Sequence, residues 1–308
     1  MAEYEIYPTH FMDNGRGLKN LVLVWTLRFN DVLDGDKLND ALWRLFETGD
    51  WRKLGGRLRI GKGGNLEMHV PKSFTDEHPP VGYTKETFDI NIDKHPLAKH
   101  LPSQTENASL HRPASDFCSL STRPGIPATI AELTSQDVPQ VSLHVASFND
   151  ATLVSVSWPH ALMDGMSLKS LLKSWSLVLA GKQDQVPPLL GAKDDILHAA
   201  AAPETAPEEE WILRDKILAG FGFFLWVVRF LWNVFTERTV ECRTIFFPKE
   251  TMARLRKQAL DEAAEVPSGK DRVPWVSEGD VILAWGAKVV AMAQPSPRPI
   301  NGLCPLDL

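Results

Sequence analysis

Cysteine is scarce in this chain. Cys118, Cys242 and Cys304 are the 3 present among 308 residues, an odd number set far apart. That excludes a disulfide framework and the paired spacing of a structural zinc site. Basic runs are missing as well. Lys and Arg number 33 against 39 Asp and Glu, a net charge of −6, and the Lys and Arg are scattered. A basic face of the kind that tracks nucleic acid is therefore not expected. The N-terminus, Met1-Ala-Glu-Tyr-Glu-Ile6, has neither a basic stretch nor an apolar one after it. It does not read as a secretory signal, so the expected location is the cytoplasm. No internal repeat of solenoid length is found. With 44% hydrophobic and 23% charged residues, the chain is globular in composition and long enough for about two domains.

Apolar periodicity supplies the elements. The run 21–29 reads as a strand. Asp34-Gly35-Asp36 offers a turn and a cap, and Leu38, Ala41, Leu42, Leu45 and Phe46 follow at helical spacing. Residues 58–60 and 66–70 flank a Gly-rich turn and predict a hairpin. Residues 71–137, rich in Pro, Ser, Thr, Asp and His, read as irregular, with short elements whose positions the pattern does not give. The clearest hairpin is 141–148 with 151–158, where Val, Leu and Trp alternate with Ser142, His144, Ser155 and Ser157. Asn149-Asp150 between its strands suits a tight turn with positive φ. Residues 166–180 predict an amphipathic helix, 181–210 a linker, and 239–247 a strand. A helix over 249–264 starts after Pro248. Ser277-Glu-Gly-Asp280 caps a helix over 279–293, and Ile300–Leu308 reads as a last strand. Alternating strands and helices point to a mixed α/β fold.

Chemistry concentrates in one stretch, Val156-Ser-Trp-Pro-His160-Ala-Leu-Met-Asp164-Gly165. It sets a histidine just after a strand and just before a helix. Histidine offers a neutral imidazole near neutral pH, and a strand–helix loop can present it to a cleft. Asp164 can cap the helix or pair with an arginine. Gly165 permits a backbone conformation that a Cβ would resist. On the residues alone, a loop histidine followed by a helix cap remains the competing reading. His144, on the neighbouring strand, fits a half-exposed strand residue better than a second site residue. Ser157 lies in no nucleophile elbow. The run 56–63 resembles a phosphate loop but has Gly63 where Ser or Thr is required after Lys62. His95, His100 and His111 fit no zinc spacing, so no metal site is expected.

The His160 block resembles the H-x-x-x-D-G motif of the BAHD acyltransferases and of the wider superfamily that includes peptide-synthetase condensation domains. Leu54-Gly-Gly-Arg-Leu58 with the following hairpin to Pro71 is similar to an early block of that family. Glu241–Pro248 and Ser277–Trp285 are similar to later ones, in the order found in fungal, trichothecene 3-O-acetyltransferase-like members. The resemblance implies a chloramphenicol-acetyltransferase-like two-domain α/β sandwich. It implies acyl transfer from acyl-CoA, a co-substrate and not a tightly bound cofactor, to a hydroxyl or amine of a small molecule. His160 would be the general base, with no acyl-enzyme. Asp164 would be a structural support turned away from substrate, usually toward an arginine, and Gly165 would keep the turn open.

The family's late D-F-G-W-G motif is absent from these 308 residues. The resemblance thus reads the chain as C-terminally truncated: 1–185 an N-terminal acyltransferase domain, 186–238 a linker with an apolar helix, and 239–308 the start of an incomplete second domain. A catalytically impaired half-enzyme or binding protein is the alternative from another class. A condensation-like use of a carrier-bound thioester is the rival within catalysis, and Pro159 stands where such domains usually have a second histidine. A monomer without nucleic-acid partners is expected. The segment 217–235 is compatible with a crossover helix packed between domains, a membrane-surface contact or a transmembrane helix interrupted by Arg229 and Asn233.

Overall fold

The structure, a computed structural model, describes residues 3–15, 19–122, 125–200, 217–265 and 275–294. In chain order its elements are β1 (Tyr4–Pro8), β2 (Val22–Phe29), α1 (Gly35–Phe46), β3 (Arg57–Ile60), β4 (Leu66–Pro71), β5 (Gly82–Thr87), β6 (Ser109–His111), α2 (Cys118–Ser121), α3 (Ile130–Ser135), β7 (Ser142–Ser147), β8 (Thr152–Pro159), α4 (Gly165–Leu179), α5 (Ile196–Ala200), α6 (Gly220–Thr236), β9 (Thr244–Phe246), α7 (Lys249–Glu265) and α8 (Glu278–Met292). The fold is mixed α/β. The chain divides into two compact units, residues 1–99 with 117–241 and residues 100–116 with 242–308.

The first unit is built on a four-stranded sheet in the order β2-β8-β7-β5, antiparallel except for the parallel pair β5–β7. One face carries Leu143, Val145, Val154, Val156 and Trp158. These pack with the apolar stripes of α1 and α4, including Leu42, Leu45, Leu168, Leu171 and Trp175. Each such side chain contributes roughly 1.5–3 kcal/mol on burial, so this layer is the main core. Both helices start on an aspartate. The Asp34 carboxylate accepts from the Asp36 and Lys37 backbone N–H groups, and that of Asp164 accepts from Ser167. The Trp175 indole locks the pair, donating to the Leu38 carbonyl at 3.0 Å.

A three-stranded sheet, β1-β4-β3, carries a second core of Tyr7, Leu58, Leu66, Met68, Val70, Leu133, Ala161 and Ala192. Its β3–β4 turn uses Gly63 and Gly64 at φ of 95° and 81°, where a Cβ would strain the backbone. The second unit contains the antiparallel pair β6–β9 and the helices α7 and α8. Helix α8 begins with a reciprocal capping box between Ser277 and Asp280, as its sequence predicts.

Several expectations are corrected. The short elements expected within 71–137 take definite places: β5 is the one that joins the central sheet. The β7–β8 connection takes no positive φ at Asn149 or Asp150, since no described non-glycine residue has one. That connection is instead held from outside: Asn149 N–H donates to the Ile90 carbonyl at 3.1 Å, and the Asp150 carboxylate accepts from the Ile92 N–H at 2.8 Å. The strand expected over 239–247 shortens to β9, paired through Leu110↔Ile245. The expected last strand, Ile300–Leu308, and Cys304 lie outside the described residues. Segment 217–235 forms α6, but none of its residues is buried, and no described helix is long and apolar enough to cross a membrane. The transmembrane reading therefore fails on length.

Candidate active site

Strand β8 is the most enclosed element of the sheet, with all eight residues buried. Its apolar side faces the main core. The other side presents Ser155 and Ser157, in register with His144 and Ser142 of β7. Alternation of this kind predicts a solvated face, but the structure buries it. His144 is 1% exposed and Ser155 1%. Buried hydroxyls and imidazoles need partners, and they find them locally. Thr26 Oγ1 lies 2.8 Å from Ser155 Oγ and donates to Ser121 Oγ of α2 at 2.9 Å. Thr84 Oγ1 lies 2.8 Å from His144 Nδ1. His144 is thus a buried sheet residue and not the half-exposed one its sequence suggests. Thr26 comes from the predicted strand β2, whereas Ser121 and Thr84 come from α2 and β5. Neither α2 nor β5 shows a periodicity that marks it in the sequence.

His160 follows directly on β8. Its backbone N–H donates to the Leu21 carbonyl at 2.8 Å, continuing the β2–β8 pairing past the last strand residue. The side chain is half-buried, and among the described residues no hydrogen bond reaches its ring. Beyond it the loop is anchored alternately in the two cores. Ala161 is buried in the second core and Met163 in the first, while Leu162 packs against both. Trp158 secures the loop from the strand side, its indole donating to the Met163 carbonyl at 2.8 Å within the core. Leu162 N–H closes a turn on the Pro159 carbonyl at 2.9 Å. A histidine that leaves its ring unengaged is thus carried on a loop fixed at both ends.

Asp164 ends this loop and opens α4. Its carboxylate accepts from the Ser167 N–H at 2.8 Å, and its carbonyl accepts from the Leu168 N–H at 3.1 Å. Partial removal from water raises the pKa of this carboxyl. The Ser167 N–H and hydroxyl and the Met166 N–H lower it by more, so it lies below the usual range. Among the described residues its partners are these capping groups and no arginine, so here the aspartate supports the loop through the helix N-terminus. Gly165 does not supply a positive φ, and a Cβ there would meet open space. The conformational reason expected for this glycine is therefore absent. It stands at the first helical position, where any good helix former fits.

A third anchor lies beside the early Leu54–Leu58 block. Arg57 is 1% exposed, donates from Nη1 to the Gly55 carbonyl at 2.9 Å, and sits 3.9 Å from Asp137, which Arg59 also meets at 2.6 Å. Burial pulls the Arg57 pKa down and Asp137 pushes it back up. Gln140 spans the same corner, donating to the Lys53 carbonyl at 2.7 Å. These contacts tie β3 to the start of β7, so Arg57, Arg59 and Gln140 serve the fold here.

No protein-family model matches the chain. Its sequence is nevertheless similar to curated fungal proteins. It is 41% identical over 298 residues to the O-acetyltransferase PaAT-2 of Phomopsis amygdali, covering 94% of this chain and 60% of that one. It is 37% identical over 290 residues to the acetyltransferase BOT5 of Botryotinia fuckeliana, covering 93% and 53%. It is 35% identical over 307 residues to the acetyltransferase pyiB of Pyricularia grisea, covering 99% and 60%. The chain thus spans a little over half the length of these relatives. Among solved structures it is similar to F. graminearum TRI101 in complex with coenzyme A and T-2 mycotoxin. That likeness has a TM-score of 0.46 at 11% identity, over 94% of this chain and 60% of that one. By sequence, the chain is thus similar to fungal acetyltransferases over a little more than half of their length.

Proposed function

We propose that the chain carries the general-base side of an acyl-CoA-dependent acyltransferase site, with His160 as the base. The acceptor is a hydroxyl or amine of a small molecule. The supporting observation is the placement of His160: a half-buried imidazole with an unengaged ring, on a loop pinned by Trp158, Ala161, Met163 and Asp164. A base held this way needs little reorganisation when substrate arrives, which is how positioned side chains contribute ~10²–10⁴-fold to rate.

In the proposed reaction the acceptor oxygen or nitrogen attacks the thioester carbonyl while the His160 ring takes its proton. The tetrahedral intermediate collapses, the C–S bond breaks, and the imidazolium returns the proton to the departing thiolate. The products are acylated acceptor and free coenzyme A. Asp164 and Gly165 do not touch the reacting atoms in this scheme. Asp164 acts as a positioning residue through its cap on α4.

The test is release of free thiol from acetyl-CoA with a panel of hydroxylated small molecules, by the wild type and by His160→Ala. Turnover that disappears in His160→Ala supports the proposal. Turnover at background level in every form would instead favour a non-catalytic binding role. Turnover confined to a carrier-bound thioester would favour condensation-like chemistry.

A further inference from the structure

Residues 186–195 lie between α4 and α5 and form no strand or α-helix. Even so, they are fastened to the first unit along their length. Val186 packs against the main core. The Trp51 indole, buried in that core, donates to the Pro187 carbonyl at 2.8 Å. Gly191 turns the chain at a φ of 67°, a conformation that favours glycine, and its carbonyl accepts from His10 Nε2. Ala192 is buried in the second core. The Asp195 carboxylate accepts from the Phe11 N–H at 2.8 Å, and Lys193 meets Glu5 at 2.6 Å. That last pair is exposed and adds little. The apolar contacts and the bond from a buried indole do most of the holding.

The same residues meet the His160 loop inside the fold. Ala161 and Ala192 are buried in one core, the second. Leu162 and Leu189 each pack against both cores, which puts both at the seam between them. We infer that residues 186–195 form a strap that positions the His160 loop, with Leu189 as a positioning residue. The inference rests on His160 as the base, and Leu189 itself does not touch the reacting atoms. The Trp158–Met163 bond and the Asp164 cap fix the ends of the loop, while the side chains of Ala161 and Leu162 fix its middle. A shorter side chain at 189 leaves space at the seam, and Leu162 can shift into it. The imidazole two residues away moves with that shift. A misplacement of about 1 Å can cost on the order of 10²-fold in rate.

The experiment combines acetyl-CoA-dependent kinetics with native-state hydrogen exchange, on the wild type, Leu189→Ala and Leu189→Met. Leu189→Ala should lower kcat per folded molecule by about tenfold, with KM for acetyl-CoA within about twofold of the wild type. Leu189→Met, which refills the seam, should restore kcat. The Leu162 amide, bonded to the Pro159 carbonyl, should exchange about tenfold faster in Leu189→Ala, beyond any change at the amides of β7 and β8. A merely destabilising substitution would speed all of these amides alike and leave kcat per folded molecule unchanged. Either result overturns the inference, as does a Leu189→Met variant no more active than Leu189→Ala. Should Leu189→Ala fail to fold, Trp51→Phe removes the donor to Pro187 and should show the same local rise at Leu162. Its absence there overturns the strap as well. A wild type that transfers no acetyl group removes His160 as the base, whereas the exchange data judge the strap by themselves.

Discussion

The indole of Trp158 donates to the carbonyl of Met163 at 2.8 Å, and both residues are buried in the main core. His160 lies in the loop this bond closes. The last residues of the central strand and the start of α4 are thereby one rigid corner. Trp158→Phe removes the donor while keeping most of the apolar volume. It leaves the Met163 carbonyl without its partner, at a cost of about 1–3 kcal/mol. Urea unfolding should show that loss, with the denaturant slope unchanged. Acyl transfer should fall as well, since the loop then holds His160 less firmly.

Asp164 contributes through capping. Asp164→Ala should lower stability by about 0.5–2 kcal/mol, whereas Asp164→Asn should retain most of it, because an amide oxygen also accepts from the Ser167 N–H. The two variants separate capping from charge. An acid titration adds the sign. The folded pKa of Asp164 lies below its unfolded value, so its charged form stabilises the fold above about pH 4 and loses that contribution as pH falls through the depressed value. The wild type should therefore lose stability on acidification more steeply than Asp164→Asn.

Gly165→Ala should be tolerated. The Cβ meets nothing within 4 Å and φ is not positive, so the substitution should raise stability by about 0.4–1 kcal/mol through the unfolded chain. Gly55→Ala is the contrasting case, because its Cβ would lie 2.6 Å from the Phe74 ring and 2.8 Å from Pro80. Thermal unfolding of the two should move in opposite directions.

The buried polar side of the sheet gives a fourth expectation. His144→Ala opens a cavity and leaves Thr84 without its partner, so a loss of about 2–5 kcal/mol is expected. Protein that remains folded should retain His160-dependent turnover, because His144 serves the sheet and not the reaction.

What the sequence revealed follows from its periodicity. Strands β7 and β8 and helices α1 and α4 were legible because Val, Leu and Trp recur at the period of each element. The helix caps at Asp34, Asp164 and Ser277 were legible because short polar side chains precede apolar runs. Strand β5 was hidden. Gly-Tyr-Thr-Lys-Glu-Thr is half-exposed and polar, and it joins the sheet in parallel, through a long connection that no local pattern records. Alternation on β7 and β8 showed that one face is polar but not that α2 covers it. Asn149-Asp150 read as a φ-positive turn because the residues at 90–92 that hold it are remote in sequence. His160 was found as a motif. Its anchoring in two cores through Ala161 and Met163 came only with the tertiary structure.

The central claim concerns His160, and one comparison tests it most directly: kcat/KM for acetyl-CoA-dependent transfer by the wild type and by His160→Ala, with matched unfolding midpoints. The expected result is a fall of about 10²–10⁴-fold with no change in stability. A rate for His160→Ala indistinguishable from that of the wild type would contradict the assignment of the base.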